Sequence, residues 1–287
     1  MMAASGDAMK RDEFQRMWNE MQKQGYFSQH PHYVDWTLDP GALKTVAPER
    51  VDLAQPPEPP FDRIDFRASD VTFPRYTEEL ERAIKRNEYF WLPKMFALPR
   101  GGTVVDVGCG FGRSLEWMRT IYDRCVGIDI SEAAIRLATE RFAGIQGVEF
   151  MVGPGDGLPA QIADQSVDFI YAFNVFEHIP RPFAAAYLSD FVRALRPAGC
   201  AVFNLLSGVQ EHAQDGAPAT EWRIGYPADA ATAMIRDAGL QVGAAVRWGL
   251  PDTPASWLWF QACPRTAPTG DAPMPPSRVR QAPRQGT

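Results

Sequence analysis

The sequence predicts an α/β fold: a seven-stranded, mostly parallel sheet with helices on both faces, preceded by a helical and irregular N-terminal extension. Three observations carry that prediction. Short β-branched runs alternate with helical apolar patterns from residue 103 to residue 205, as in strands joined by crossover helices. The first strand, Thr103-Val104-Val105-Asp106-Val107, runs directly into a turn holding Gly108, Gly110 and Gly112. Two later strand patterns, Gln241 to Trp248 and Ser256 to Cys263, are joined by a Gly/Pro-containing turn, which predicts an antiparallel closing strand.

Composition narrows the function classes. The 287 residues, 45% hydrophobic and 22% charged, suffice for one sizeable α/β domain with additions or two small ones. A formal net charge of −6 with no dense basic run makes a polyanion a poor partner, so no nucleic acid is expected. Cys109, Cys125, Cys200 and Cys263 form no CxxC pair. They read as small buried residues of a reduced protein, with neither a disulfide framework nor a metal site. The first residues carry no apolar signal core, and no apolar run reaches membrane-spanning length. A cytoplasmic location and no membrane partner are therefore expected. The sequence sets no oligomeric state.

In chain order, residues 9 to 24 place Phe14, Met17, Trp18 and Met21 at helical spacing, closed by Gly25. Core packing and a lid over an acceptor site are both open to that stripe. Residues 26 to 73 are Pro-rich and irregular, yet Phe27, Tyr33, Trp36, Phe61 and Phe66 punctuate them, which predicts an ordered coil wrapped on the main domain. His30 and His32 lack a partner at ligand spacing and read as surface or packing residues. Thr77 opens a second helix, with Leu80, Ile84 and Trp91 along it and Pro93 and Pro99 near its end. Residues 1–97 thus form a cap, 98–263 the main domain, and 264–287, rich in Pro, Ala, Gly and Arg, a disordered tail.

Within the main domain, a helix carrying Leu115, Met118 and Tyr122 on one face follows the glycine turn. Strand two, Cys125-Val126-Gly127-Ile128, ends on Asp129, and Ser131 N-caps the helix Glu132 to Ala143. Strand three is Val148 to Val152, followed by a loop from Gly153 to Gly157. Strand four, Val167 to Tyr171, runs into Phe173-Asn174-Val175-Phe176-Glu177-His178-Ile179-Pro180. A helix from Pro182 ends at Arg196-Pro197-Ala198-Gly199, and strand five is Cys200 to Leu205. Residues 206 to 225 read as a polar insertion containing His212, and Pro227 and Gly239 frame one more helix.

The glycine turn and Asp129 carry the chemistry. Glycines without Cβ let backbone approach a ligand over the strand end, beside the partial positive charge of a helix start. A carboxylate at the tip of the next strand can accept hydrogen bonds from both hydroxyls of a ribose. The bland alternative is a structural strand–turn–helix with solvent-facing acids. Arg113 occupies the last position of a dinucleotide G-x-G-x-x-G fingerprint, and no Gly-Lys-Ser/Thr closes a P-loop.

Asp106-Val107-Gly108-Cys109-Gly110-Phe111-Gly112 resembles the first motif of class I, Rossmann-like S-adenosylmethionine-dependent methyltransferases. Asp164 to Ile170 is similar to that family's lead-in to strand four, and Leu195-Arg196-Pro197-Ala198-Gly199 to its turn before strand five, with Ala198 where the family has a glycine. Val175-Phe176-Glu177-His178-Ile179 is most similar to the family's small-molecule members. The resemblance, over about residues 101–263, implies S-adenosyl-L-methionine as cofactor and a small-molecule acceptor. It implies that Gly108, Cys109, Gly110 and Gly112 line the methionine and ribose, Asp106 engages the amino group, and Asp129 holds the ribose hydroxyls. It further implies Ile130 on adenine, Asp156 at the adenine amino group, and Phe173 and Asn174 beside the methionine. His178 is the candidate general base for a hydroxyl acceptor, or a packing residue of the turn; Glu177 orients acceptor or loop. An NAD-type oxidoreductase and a non-catalytic cofactor-binding protein stand as alternatives.

Overall fold

The computed structural model describes residues 11–23, 96–119, 121–209, 223–249 and 256–265. The expected coil over 26–73, His30, His32, the helix from Thr77, most of the 206–225 insertion including His212, and the tail beyond Arg265 lie outside the described residues.

The elements run α1 (Arg11–Lys23), β1 (Thr103–Val107), α2 (Arg113–Met118), β2 (Arg124–Asp129), α3 (Glu132–Arg141), β3 (Val148–Val152) and β4 (Val167–Ala172). A 3-10 turn at Phe176–His178 precedes α4 (Arg181–Ala194), β5 (Leu195–Ser207), α5 (Ala228–Asp237), β6 (Leu240–Gly249) and β7 (Ser256–Pro264). The seven strands form one sheet in the order β3-β2-β1-β4-β5-β7-β6. The first five are parallel, and β7 inserts antiparallel between β5 and β6.

Period-two alternation sends side chains to two separate cores. Val105, Val107, Ile170 and Phe203 face one side, against Tyr187, Leu188 and Phe191 of α4 and Ile235 of α5. Val104, Phe169, Tyr171 and Val202 face the other, against Leu115 and Met118 of α2 and Ile135 of α3. On this second face a row of rings follows the sheet. Tyr122 stacks on Phe169 at 5.6 Å, Phe169 sits 6.4 Å from Tyr171, Tyr171 6.4 Å from Phe173, and Phe173 stacks on Trp259 at 5.2 Å. Offset rings at such spacings add to the area they bury.

Local chemistry sets the element ends. Ser131 caps α3, its hydroxyl accepting from the Ala134 N–H at 3.2 Å. The helix stops at Arg141, two residues before the expected end, as Phe142 tucks its ring beneath Phe150 at 5.2 Å. Strand five differs more: β5 begins at Leu195, so the expected Arg196–Gly199 turn lies within the strand. Leu195 pairs with Val167, the register then shifts, and pairing resumes at Cys200 with Phe169. The irregularity absorbs Pro197, which has no N–H to give the ladder. A Cβ on Gly199 would stand 3.0 Å from the carbonyl oxygens of Val167 and Asp168, so glycine permits the approach. Among the described residues no helix is long and apolar enough to cross a membrane.

Gly127 lies mid-strand in β2, where an added Cβ would meet Phe150 at 2.6 Å and Leu115 at 2.7 Å. Gly127→Ala should cost about 1–3 kcal/mol through overpacking of that face, measured as a lower urea midpoint with an unchanged slope.

Candidate functional site

The strand order places β2 and β3 on one side of β1 and β4 and β5 on the other, so the crossovers diverge at the β1/β4 seam. In parallel sheets that divergence leaves a crevice at the C-terminal strand ends. A cavity of about 210 Å³ lies there. Asp106, Gly108, Cys109, Gly110, Asp129, Ile130, Phe173, Asn174, Glu177 and His178 all line it.

Gly112 and Asp156 are the two expected site residues that do not line the cavity. Gly110, at φ 51°, has nothing within 4 Å of where a Cβ would stand, so bare backbone faces the open space. Gly112, at φ 77°, turns instead toward the helix–sheet layer, where a Cβ would lie 2.8 Å from Phe142 and 3.0 Å from Phe150. Gly155 lines the cavity one residue before Asp156, whose carboxylate is gripped by Arg11 of α1, the Nε donating at 2.7 Å.

Asp129 is held from two sides. Its Oδ2 accepts from the Gly110 N–H at 2.9 Å, and its Oδ1 accepts from the Ser131 N–H at 2.8 Å. Each carboxylate oxygen keeps a second lone-pair direction for another donor. Burial pushes the Asp129 carboxyl above its ordinary value, opposed by the N–H groups of Ser131, Gly110 and Ile130. Burial, aided by the charges of Asp129 and Asp106, holds the Cys109 thiol far above its usual range, which keeps it neutral.

At the end of β4, Asn174 adopts φ 53°. Asparagine tolerates this left-handed region better than most residues when its backbone is tied. The tie is Asn204, fully buried in β5: its Oδ1 accepts from the Asn174 N–H at 2.8 Å, and its Nδ2 donates to the Asn174 Oδ1 at 2.9 Å. Three residues after Asn174, Glu177 is 4% exposed. Its Oε1 faces His178 Nε2 at 3.6 Å, and its carbonyl accepts from the Ile224 N–H at 3.0 Å. Burial raises the Glu177 carboxyl, and the nearby His178 opposes the rise.

Several lining residues were absent from the sequence-derived site: Phe14, Trp18, Phe111, Ser114, Arg141, Val175 and Tyr187. The α1 helix supplies the first two. Phe14 is 1% exposed and meets Phe183 edge-on at 5.8 Å, and Trp18 meets the His178 ring at 6.1 Å. Asn19 accepts from the Glu132 N–H at 2.9 Å at the start of α3. From the stripe, Phe14 is seated in the core and, with Trp18, also lines the cavity. Its helical spacing was a signal for burial, but not for what it would be buried against. Among the described residues no group of three or more His, Cys, Asp or Glu side chains is placed to hold a metal ion.

Two outcomes follow from this geometry. Asn204→Ala should lower stability by about 1–3 kcal/mol, because it removes both hydrogen bonds that the fully buried Asn204 makes to Asn174; chemical denaturation measures it. The second concerns pH. The raised Glu177 and Asp129 carboxyls keep protons that the unfolded chain has already released. Their contribution is fullest below the ordinary carboxylate range and falls as pH rises through the raised folded values. Stability of the wild type minus that of Glu177→Gln, measured by urea unfolding from about pH 4 to pH 8, should therefore decline with rising pH.

A family model described as "Methyltransferase domain" matches residues 104–199, spanning β1 to the start of β5. The chain is 28% identical over 171 residues to a 2-methyl-6-phytyl-1,4-hydroquinone methyltransferase of Synechocystis sp., covering 59% of this chain and 48% of that protein. It is 31% identical over 132 residues to a ubiquinone biosynthesis O-methyltransferase of Maricaulis maris, covering 44% and 49% respectively. In both cases the chain spans about half of the curated relative's length. Among solved structures, the [4+2]-cyclase SpnF superposes with a TM-score of 0.51 at 14% identity, covering 75% of this chain and 90% of that one, a likeness of fold alone. Sheet order, glycine turn and matched segment together give the chain the Rossmann-like fold of the class I S-adenosylmethionine-dependent methyltransferases, with residues 104–199 matching a methyltransferase domain.

Proposed function

We propose that this chain is a cytoplasmic S-adenosylmethionine-dependent methyltransferase that moves a methyl group to an oxygen or nitrogen of a small-molecule acceptor by in-line displacement. The observation that carries this reading is the pairing of open backbone at Gly110 with the fixed carboxylate of Asp129 across one cavity. The donor set fits the cofactor. Asp106, Asp129 and Glu177 give the cavity an acidic wall suited to a ligand carrying a sulfonium and an ammonium, and the unfilled space at Gly110 admits it against the main chain. When bound, S-adenosylmethionine supplies a methyl group on positively charged sulfur and leaves as S-adenosylhomocysteine.

In this reading Gly108, Cys109 and Gly110 line the donor, while Gly112 sets the bend that presents them. Asp106 accepts from the donor's ammonium. Asp129 accepts from the ribose hydroxyls through its remaining lone pairs, and Ile130 covers adenine. Asp156 serves the adenine amino group from a carboxylate shared with Arg11. Phe173 and Asn174 flank the methionine, with Asn204 holding Asn174 in place. Residues 1–97 act as a cap, 98–263 as the donor-binding domain and 264–287 as a tail. Little covalent help is needed: aligning the acceptor atom with the S–CH₃ bond supplies several kcal/mol of the barrier. For a hydroxyl acceptor His178 takes the proton while Glu177, 3.6 Å away, stabilises the resulting imidazolium. Two relatives named for hydroquinone methylation and ubiquinone biosynthesis support a small-molecule acceptor. A cyclase shares the fold, so the reaction rests on the site residues and not on the sheet.

Calorimetric titration with S-adenosylmethionine, S-adenosylhomocysteine and NAD(H), followed by a radiolabelled methyl screen over phenols, sugars and amines, tests the reading. Asp129→Ala should weaken S-adenosylmethionine binding at least about tenfold, as expected for lost bonds to a charged group, with the far-UV spectrum unchanged. Unaltered affinity would remove the ribose assignment. His178→Ala should lower turnover on a hydroxyl acceptor about 10²–10⁴-fold with donor affinity kept; equal turnover would leave His178 a wall residue.

A further inference from the structure

At the opposite end of the sheet from the cavity, Cys200 near the start of β5 meets Cys263 near the end of β7. The ladder pairs Ala201 with Ala262 and Val202 with Gln261, and that register extended by one step sets Cys200 opposite Cys263. Residues directly opposite on antiparallel strands project to the same face with Cα atoms about 4.5–5.5 Å apart. A disulfide spans roughly 4.4–6.8 Å between Cα atoms, so the backbone already brings the pair within reach. Both cysteines are free thiols. Gln261 Nε2 donates to Cys200 Sγ at 3.5 Å and to the Ala97 carbonyl at 2.7 Å, which fixes the surroundings of the pair. Cys125 lies in β2, three strand spacings or roughly 14 Å from β5, and Cys109 lines the cavity. Neither competes for the partnership.

We propose that Cys200 and Cys263 are a hydroperoxide-oxidised dithiol that closes a reversible cross-strand disulfide between β5 and β7. The two thiols have unequal parts. Cys200 is 4% exposed, whereas Cys263 is half-buried and in partial contact with solvent. Its neighbour Cys200 draws the Cys263 thiol below its ordinary value, against the effect of burial. A thiolate in partial contact with solvent is the form that peroxide oxidises. The Cys263 thiolate attacks one oxygen of hydrogen peroxide and the O–O bond breaks. Sulfenic acid forms on Cys263, and the departing hydroxide takes a proton to become water. The Cys200 sulfur then attacks the Cys263 sulfur, the S–O bond breaks, and the proton of Cys200 leaves with the hydroxyl as a second water. Two thiols lose two electrons in all and one peroxide gains them. The bond pins β7 to the parallel strands, and with it β6, whose ladder runs only to β7.

The test uses the whole reduced chain, treated with a small molar excess of hydrogen peroxide, quenched with catalase, alkylated in denaturant and mapped by mass without reduction. The expected product is a single crosslinked peptide pair joining Cys200 to Cys263, with Cys109 and Cys125 alkylated, and dithiothreitol returns all four thiols. In Cys200→Ser, peroxide should leave Cys263 as a sulfenic acid that dimedone labels. Cys263 carried to sulfinic or sulfonic acid while Cys200 stays alkylated, a crosslink to Cys109 or Cys125, or no dimedone label in Cys200→Ser would each overturn the proposal.

Discussion

The site depends on one carboxylate. Asp129 stands at the tip of β2, yet it holds the Gly110 N–H of the turn after β1 and the Ser131 N–H at the head of α3. Hydrogen bonds to an ionised acceptor are short and stronger than neutral ones, so two of them set the spacing between neighbouring strand tips. That spacing leaves backbone bare at Gly110 and a charged rim beside it. If the Asp129 side chain were removed, the glycine turn would keep its freedom and lose its guide. The acid therefore shapes the cavity before it meets any ligand.

Around that anchor the walls come from distant parts of the chain. The α1 helix crosses the strand ends with Phe14 seated in the core, Trp18 against His178, and Arg11 on Asp156. On the opposite wall, buried Asn204 in β5 holds Asn174 in a left-handed conformation through two reciprocal hydrogen bonds. The stacked row from Tyr122 through Phe169 and Tyr171 stiffens the sheet beneath Phe173, which lines the cavity. The turn after β4, carrying Glu177 and His178, is bound by Ile224, near the end of the segment read as an insertion after β5. Most of these contacts are close packing and paired polar groups.

Fold and chemistry separate clearly in this molecule. The sheet order and the matched segment set the architecture, and a cyclase with a similar backbone shows that architecture does not choose a reaction. Over the seam the cavity is lined by three carboxylates, Arg141, one histidine, and aromatic rings from α1 and from the segment after β4. The far end of the sheet is chemically independent of it, since Cys200 and Cys263 share no lining residue with the cavity.

Local chemistry in the sequence was enough for the elements that repeat. The β-branched runs of β1 and β4, the Ser131 cap, the glycine turn and the acid closing β2 are encoded within a few residues of one another, where periodicity and propensity act. Gly112 shows where that stops. In the sequence it is equivalent to Gly110, but in the structure it turns toward Phe142 and Phe150 while Gly110 faces open space. Phe14 and Trp18 announced a buried face without naming its partner, and no pattern in the sequence singled out Asn204. The start of β5 at Leu195 was hidden by a proline and a glycine whose turn signal a register shift absorbs. The sequence by itself determined the strands, the bend and the acid, because their causes are local. Only the tertiary structure decided which glycine faces the cavity, which helix walls it and which asparagine holds its edge, because those depend on contacts between segments up to more than a hundred residues apart, which leave no local pattern.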